Sequence, residues 1–169
     1  MTALPEHHQP EQTLQRQQYL TFVLDGEHYA VDTLNVREII ELGALTQVPR
    51  MPPTVRGAIN LRGAVVPVLD LQARFGAGAT HLTRRTCIVI LEVHEDGQPQ
   101  VLGVLVEAVS EVLEIDASEI RPAPAFGSRI RSDFIQGMAR LDERFVTLLA
   151  LDRVLRLDEV GGHTANDDG

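Results

Sequence analysis

The sequence predicts a mainly β protein made of two similar small barrels, and three observations predict it. Most of the chain falls into short apolar runs punctuated by Asp-Gly, Arg-Gly and Asp-Glu turns. The second half repeats the spacing of the first. At an offset of 80, Gly57, Leu61, Val66, Leu69 and Leu71 match Gly137, Leu141, Val146, Leu149 and Leu151; at an offset of 73, VREII (36–40) matches VSEVL (109–113). Finally, 169 residues, 44% of them hydrophobic, suffice for one compact domain or two small joined ones. Half the chain would be marginal alone, so the two barrels are expected to share a hydrophobic seam.

Taken in order, YLTFVL (19–24) and HYAVD (28–32) flank Asp25-Gly26-Glu27, a turn between alternating runs and hence a hairpin. Asp32 then caps a predicted short helix, TLNVREIIEL (33–42), with Leu34, Ile39 and Leu42 among its apolar positions and Gly43 ending it. VPRMPP (48–53) holds three prolines in six residues, which excludes regular helix and central strand. GAINL (57–61) and AVVPVLDL (64–71) form the next pair around Arg62-Gly63, and Pro67 argues for an edge or a bulge. GAGAT (76–80) follows a helical turn and reads as a flexible linker between the halves, near 76–84.

TCIVILEV (86–93) and QVLGVLVEAV (100–109) are strands joined through HEDGQP (94–99), with Asp96-Gly97 at the tip. Residues 110–133 read as a long connection with few regular signals besides a cap at Asp116 or Ser118. FIQGMARL (134–141) and RFVTLLAL (144–151) are strands around Asp142-Glu143. DRVLRLDEV (152–160) closes the ordered chain as an amphipathic helix, with Leu151, Val154 and Leu155 on one face. Residues 1–16 and 161–169 read as disordered polar tails around a single domain at 17–160.

Composition narrows the function. Lys+Arg total 15 against Asp+Glu 24, a net charge of −9, which repels a phosphate backbone and argues against nucleic acid as a partner. No run approaches the ~20 apolar residues of a membrane-spanning helix. The start, MTALPEHHQPEQTLQRQQ, lacks the basic-then-apolar order of a secretion signal. The expectation is a cytoplasmic protein that reaches the inner face of the membrane only through a partner. The single cysteine, Cys87, sits in an apolar run and is expected to be buried.

Site chemistry is hard to find. There is no Gly-x-Ser-x-Gly, His-Glu-x-x-His, phosphate-loop or paired-cysteine pattern, and the histidines are dispersed beside turns. No catalytic residue, metal site or cofactor is therefore expected. Two barrels with many short strand edges read better as an interaction module.

Three stretches, YLTFVLDGEHYAVDTLNVREI, RGAINLRGAVVPVLDLQARFG and VLVEAVSEVLEIDASEIRPAP, carry a resemblance through their order and spacing. From Gln18 to about Val160 the chain resembles the CheW family, the coupling proteins of bacterial chemotaxis. The resemblance implies two five-stranded, SH3-like β-barrels packed together, with short helices. It also implies a function, tethering the regulatory domain of the histidine kinase CheA to the cytoplasmic tips of chemoreceptors, and it allows self-association in array rings.

In that family an Asn-Leu-Arg-Gly turn presents its arginine near a glutamate on a short helix of the first barrel, in a region that binds partners. Carried over, this implies partner binding for Asn60, Arg62, Gly63 and Glu38, with Gly63 giving the turn its conformational freedom. An arginine–carboxylate pair can fix geometry through two parallel hydrogen bonds. An ordinary exposed pair of little consequence is the alternative. Val36 and Ile39, three apart on the predicted helix, and Gly57, which allows close backbone approach within the barrel or at the partner, complete the receptor-facing set. Val109 and Val112, in EAVSEVL, are expected on the kinase-facing side.

HEDGQP looks longer than the family's tight turn, and MPP (51–53) stiffens the approach to Gly57. Two other readings stay open: a coupling protein of a non-flagellar chemosensory array and, from a different class, a small-molecule-binding barrel or a hydrolase using Asp70 or Asp142. The last needs a deep polar pocket, and no convergent set of polar groups is evident to line one.

Overall fold

The alternating apolar runs form eleven strands among the residues described by the computed structural model, 16–123 and 130–156. They are β1 (Arg16–Leu24), β2 (Glu27–Asp32), β3 (Val36–Glu41), β4 (Val55–Leu61), β5 (Ala64–Asp70), β6 (Cys87–Glu95), β7 (Gln98–Val106), β8 (Ala108–Asp116), β9 (Ile120–Arg121), β10 (Ile135–Leu141) and β11 (Arg144–Leu149). One-turn helices follow β5 and β11, at Leu71–Arg74 and Leu151–Val154. The predicted closing helix therefore starts one residue early. It is also one turn long, ending at Val154 rather than running to 160; Leu151, Val154 and Leu155 are all buried as its pattern requires, while residues 157–160 of the expected helix and the two terminal tails fall outside the described residues, apart from Arg16, which opens β1.

The strands curl into two sheets, ordered β3-β6-β7-β5-β4 and β8-β1-β2-β11-β10-β9. The sixth strand of the second sheet, β9, has two residues; its counterpart in the first is the isolated bridge between Thr46 and Ala58. The repeat is visible throughout. β4, β5 and the helix at Leu71 recur 80 residues on as β10, β11 and the helix at Leu151, and a ladder irregularity at Val55/Gly57 recurs at Ile135/Gly137.

The barrels are not the two halves of the sequence. β1–β2 joins the sheet of the second repeat through the parallel β2–β11 pair, and β6–β7 joins that of the first through β5–β7. Each repeat thus lends its leading hairpin to the other barrel. Consequently β6 and β7 are buried on both faces: Ile88 and Ile90 fill the first barrel, while Val89 and Leu91 join Leu20, Phe22 and Val31 in a cluster between the barrels. Tyr19, Ala30 and Ile115 lie among the buried residues of the second barrel. The expected hydrophobic seam is this central cluster, in which alternate residues of both hairpins meet.

Four hairpins close in two residues, with Leu24 opposite Glu27, Leu61 opposite Ala64, Glu95 opposite Gln98 and Leu141 opposite Arg144. HEDGQP is thus no long loop, because β6 and β7 run through it to the Asp96-Gly97 turn. Pro67 is on neither an edge strand nor a bulge, since β5 lies between β7 and β4; it falls where β5 is paired on one side only, the parallel ladder to β7 beginning at Val68. The break in the antiparallel ladder lies on β4, around Arg56.

Two assignments are corrected. TLNVREIIEL is not a helix: Asp32 does cap it, accepting from the Leu34 N–H at 2.9 Å, but the 3-10 turn ends at Asn35 and β3 begins. Three β-branched residues, Val36, Ile39 and Ile40, favour the strand, which pairs with β6. Likewise VSEVLEID is strand β8, paired with β1, and the expected cap at Asp116 closes a capping box with Glu119.

The segment at 76–84 joins β5 to β6, two strands of the same sheet. It is tied down at Thr80, which is buried and bonded to Asp70. Cys87 is only half-buried, at the start of β6, where its thiol lies 3.3 Å from the Arg85 carbonyl.

Candidate functional site: paired arginine–glutamate surfaces

The β4–β5 turn is built from NLRG. Arg62 (φ 53°) and Gly63 (φ 91°) both lie in the left-handed region. The Asn60 side-chain oxygen accepts the Gly63 N–H at 2.9 Å, closing the turn from its own strand. Arg62 then donates through Nη1 to Glu38 Oε2 at 2.8 Å, one hydrogen bond rather than the parallel two. The Arg62 side chain is 74% exposed and that of Glu38 30%. The hydrogen bond and charge of Glu38 raise the guanidinium pKa above its usual value.

Glu38 lies on β3, not on a helix. That change of element also splits Val36 from Ile39. A strand with an extra residue at Arg37 turns Val36 toward the central cluster, where it is half-buried, and leaves Ile39 43% exposed. Arg37 itself pairs with Glu92.

Gly57 is a packing residue. A Cβ there would come 2.3 Å from the Thr46 carbonyl oxygen, so the close approach is within the barrel, where Thr46 and Ala58 exchange two backbone hydrogen bonds of 2.8 Å.

The second barrel carries a counterpart. At the offset of 73, Val109 corresponds to Val36, and both are half-buried against the central cluster. Val112 corresponds to Ile39 and is 53% exposed. Glu111 corresponds to Glu38 and meets Arg144, the first residue of β11, at 3.3 Å. Val65 and Phe145, related by the offset of 80, are both well exposed just after these turns. Each barrel therefore presents an exposed arginine–glutamate pair among outward apolar side chains.

Sequence reasoning missed Val65, Phe145, Arg144 and Leu34. Val65 and Phe145 had a signal in the repeat itself, each standing two residues past its hairpin turn at matched positions, whereas Arg144 matches Ala64. Leu34 was read as an apolar helix position; on its 3-10 turn it is 86% exposed. Its neighbours Asp32 and Asn35 line a cleft of about 380 Å³ between the barrels, with Val93, His94 and Asp152.

Asp70, the one buried carboxylate named above as a hydrolytic candidate, is saturated. Its Oδ2 accepts from Arg56 Nη1 at 2.6 Å and from Thr80 N at 2.9 Å, and its Oδ1 from the Thr80 hydroxyl at 2.6 Å and Ala73 N at 3.2 Å. It serves as a helix cap and an anchor for the following segment. Asp142 is a turn residue at φ 57°.

Comparison with known proteins points one way. The family model described as a CheW-like domain matches residues 18–159. The chemotaxis protein CheW of Klebsiella aerogenes is 33% identical over 144 residues, covering 85% of this chain and 84% of that protein. CheW of Rhizobium meliloti is 34% identical over 140 residues, covering 83% and 88%. The crystal structure of the scaffolding protein TtCheW from Thermoanaerobacter tengcongensis superposes with a TM-score of 0.75 at 32% identity, covering 84% of this chain and 89% of that one. The two curled sheets are accordingly a pair of SH3-like barrels.

Proposed function

We propose that this chain, which belongs to the CheW-like domain family, is an adaptor without catalytic activity that holds the cytoplasmic tip of a chemoreceptor and the regulatory domain of a CheA-type histidine kinase in one complex. One observation carries the reading: the two barrels present two similar exposed surfaces, each an arginine–glutamate pair beside outward apolar residues. A scaffold needs two faces that bind at once, and a duplicated barrel supplies them. A small exposed pair adds little to the stability of its own fold. Beside exposed valine, isoleucine or phenylalanine it has the composition of a partner contact, with apolar area for affinity and a charged fork for orientation.

On this reading the receptor tip, an apolar helical partner, engages the first barrel around Arg62, Glu38 and Ile39 and the 3-10 turn at Leu34, with Val36 supporting the surface from the seam. The kinase engages the second barrel around Val112, with Val109 supporting it from the seam. Gly57 and Asn60 shape the first surface rather than touch the partner. The protein acts at the inner face of the membrane because the receptor brings it there. Among the described residues no helix is long and apolar enough to cross a membrane. Whether the array drives flagella or another output is decided by which receptor and kinase are retained.

The test is retention of lysate proteins on the tagged chain, identified by mass spectrometry, beside Arg62→Ala. Recovery of a chemoreceptor and a CheA-type kinase, with the receptor selectively lost in the variant, is the expected result. Loss of fold in the variant, or retention of neither partner by the folded wild type, contradicts it.

A further inference from the structure

Four two-residue hairpin turns lie among the described residues, and their first positions differ in sequence. Their first turn residues all lie in the left-handed region, at φ 51°, 53°, 55° and 57°. Three are aspartates, Asp25, Asp96 and Asp142; the fourth is Arg62. Aspartate and asparagine tolerate that conformation through local hydrogen bonding, whereas a long side chain without a nearby acceptor or donor does not. The arginine is thus the misfit among the three turns that continue into a left-handed glycine, Gly26, Gly63 and Gly97; the fourth continues into Glu143. It is also the only one of the four preceded, two residues earlier, by asparagine: Val23, His94 and Arg140 occupy that place in the others.

Asn60 is the residue whose side chain closes the turn, through Gly63 N–H at 2.9 Å. The β1–β2 and β6–β7 hairpins, which share the left-handed glycine, close in the same two-residue register with Val23 and His94 in that position. The fold of such a hairpin therefore does not require the clamp; Asn60 supplies one at the turn whose first residue is arginine.

We propose that Asn60 is a positioning residue for the partner contact made by Arg62. Its side-chain oxygen fixes Gly63, Gly63 holds the turn in its left-handed form, and the turn aims the Arg62 guanidinium so that one of its nitrogens is spent on Glu38 while its remaining donors face outward. This deepens the proposed function and rests on the reading of Arg62 as a partner contact. Asn60 itself touches no partner in this account.

The test uses the full chain and an immobilised chemoreceptor cytoplasmic fragment containing the tip. Affinities are measured for wild type, Asn60→Ala, Arg62→Ala and the double variant, with Asn60→Asp as the conservative replacement that keeps an acceptor at the same reach. Asn60→Ala is expected to weaken binding by roughly 2–10-fold, the net contribution of one hydrogen bond. In the Arg62→Ala background the same change is expected to do almost nothing, and Asn60→Asp is expected to restore most of the affinity. Amide exchange at Gly63, followed by NMR, should quicken in Asn60→Ala and not in Asn60→Asp, which reports the clamp without any partner.

Equal losses from Asn60→Ala in both backgrounds would overturn the inference while leaving Arg62 as a contact. An Arg62→Ala variant that binds as wild type would overturn the reading of Arg62 and the positioning role with it. Unchanged Gly63 exchange in Asn60→Ala would show that the clamp does not hold the turn.

Discussion

Replacing Gly57 with alanine should destabilise this protein by about 2–3 kcal/mol, although the change adds one methyl group and touches no charge. The added Cβ would lie 2.3 Å from the Thr46 carbonyl oxygen, 3.1 Å from its carbonyl carbon and 3.0 Å from a Leu45 methyl. Backbone, not a side-chain end, is in the way. Relief requires the strand edge at Thr46 to draw back from β4, where Thr46 N to Ala58 O and Ala58 N to Thr46 O are each 2.8 Å. Losing both bonds costs about 1 kcal/mol each. Partial exposure of Leu45, which packs on the first barrel's core, adds up to about 1 kcal/mol. Urea denaturation followed by circular dichroism reads the change as a lower midpoint at constant slope. Two controls sharpen it. Gly137→Ala meets Ile120 Cγ2 at 2.4 Å, a methyl fixed on a stiff β-branched carbon, and the Arg121 carbonyl oxygen at 3.2 Å, so it should destabilise as well; Gly43→Ala enters open space and should stay within about 0.5 kcal/mol of wild type. A Gly57→Ala loss below about 1 kcal/mol, or one no larger than that of Gly43→Ala, would refute the packing argument and return Gly57 to the partner surface.

Four further outcomes are expected. Asp70→Ala strands Arg56 against a buried site and should cost about 3–5 kcal/mol in the same denaturation assay. Arg62→Asn places a residue suited to the left-handed turn at φ 53°, so the melting temperature should hold or rise while retention of the receptor tip falls, a separation that calorimetry and binding together would reveal. Asp116, bonded to the Ser118 N–H, and Asp133, bonded to Arg131, both titrate below the usual carboxylate value of 3.8, so each favours the folded state above that pH. The stability they contribute should disappear as pH falls below 3.8 through their folded-state values, visible in NMR titration of the two carboxyl groups and as a positive slope of unfolding free energy against pH. Leu34→Ser, at a side chain 86% exposed, should leave stability within about 0.5 kcal/mol and weaken retention of the receptor tip.

Much of this architecture was legible in the sequence because it is locally encoded. Asp25-Gly26, Arg62-Gly63, Asp96-Gly97 and Asp142-Glu143 mark their hairpins through turn chemistry alone, and the matched glycines and leucines reveal the repeat. What escaped is the exchange of hairpins between barrels. It rests on the short parallel pairs β2–β11 and β5–β7, whose partners are far apart in sequence and leave no local pattern. The helix expected at TLNVREIIEL failed for a different reason. A real cap at Asp32 starts a turn, and the apolar residues after it fit either period, until pairing with β6 selects the strand. That error also moved Glu38 to the wrong element and placed Val36 and Ile39 together. The extra residue at Arg37, which no local signal announces, helps set which of the two faces solvent.

Of the site, the Arg62–Glu38 pair was expected from family resemblance and forms at 2.8 Å. Composition alone had no means of bringing together residues from β3 and a turn of the next hairpin. In its echo, Glu111 could have been found by carrying the repeat one step further, but the repeat puts Asp142 where Arg62 stands, and the arginine that meets Glu111 is Arg144, two residues on at the start of β11.

The central claim is that this chain joins a receptor to a kinase, and co-sedimentation tests it most directly. Vesicles carrying a chemoreceptor are mixed with a CheA-type kinase, with and without the full-length protein, and the pellet is assayed for kinase. The kinase is expected to pellet efficiently only when the protein is present, and Arg62→Ala and Val112→Asp are each expected to abolish this while losing different partners, the receptor and the kinase respectively. Kinase that pellets equally without the protein, or never in its presence, would contradict the adaptor role.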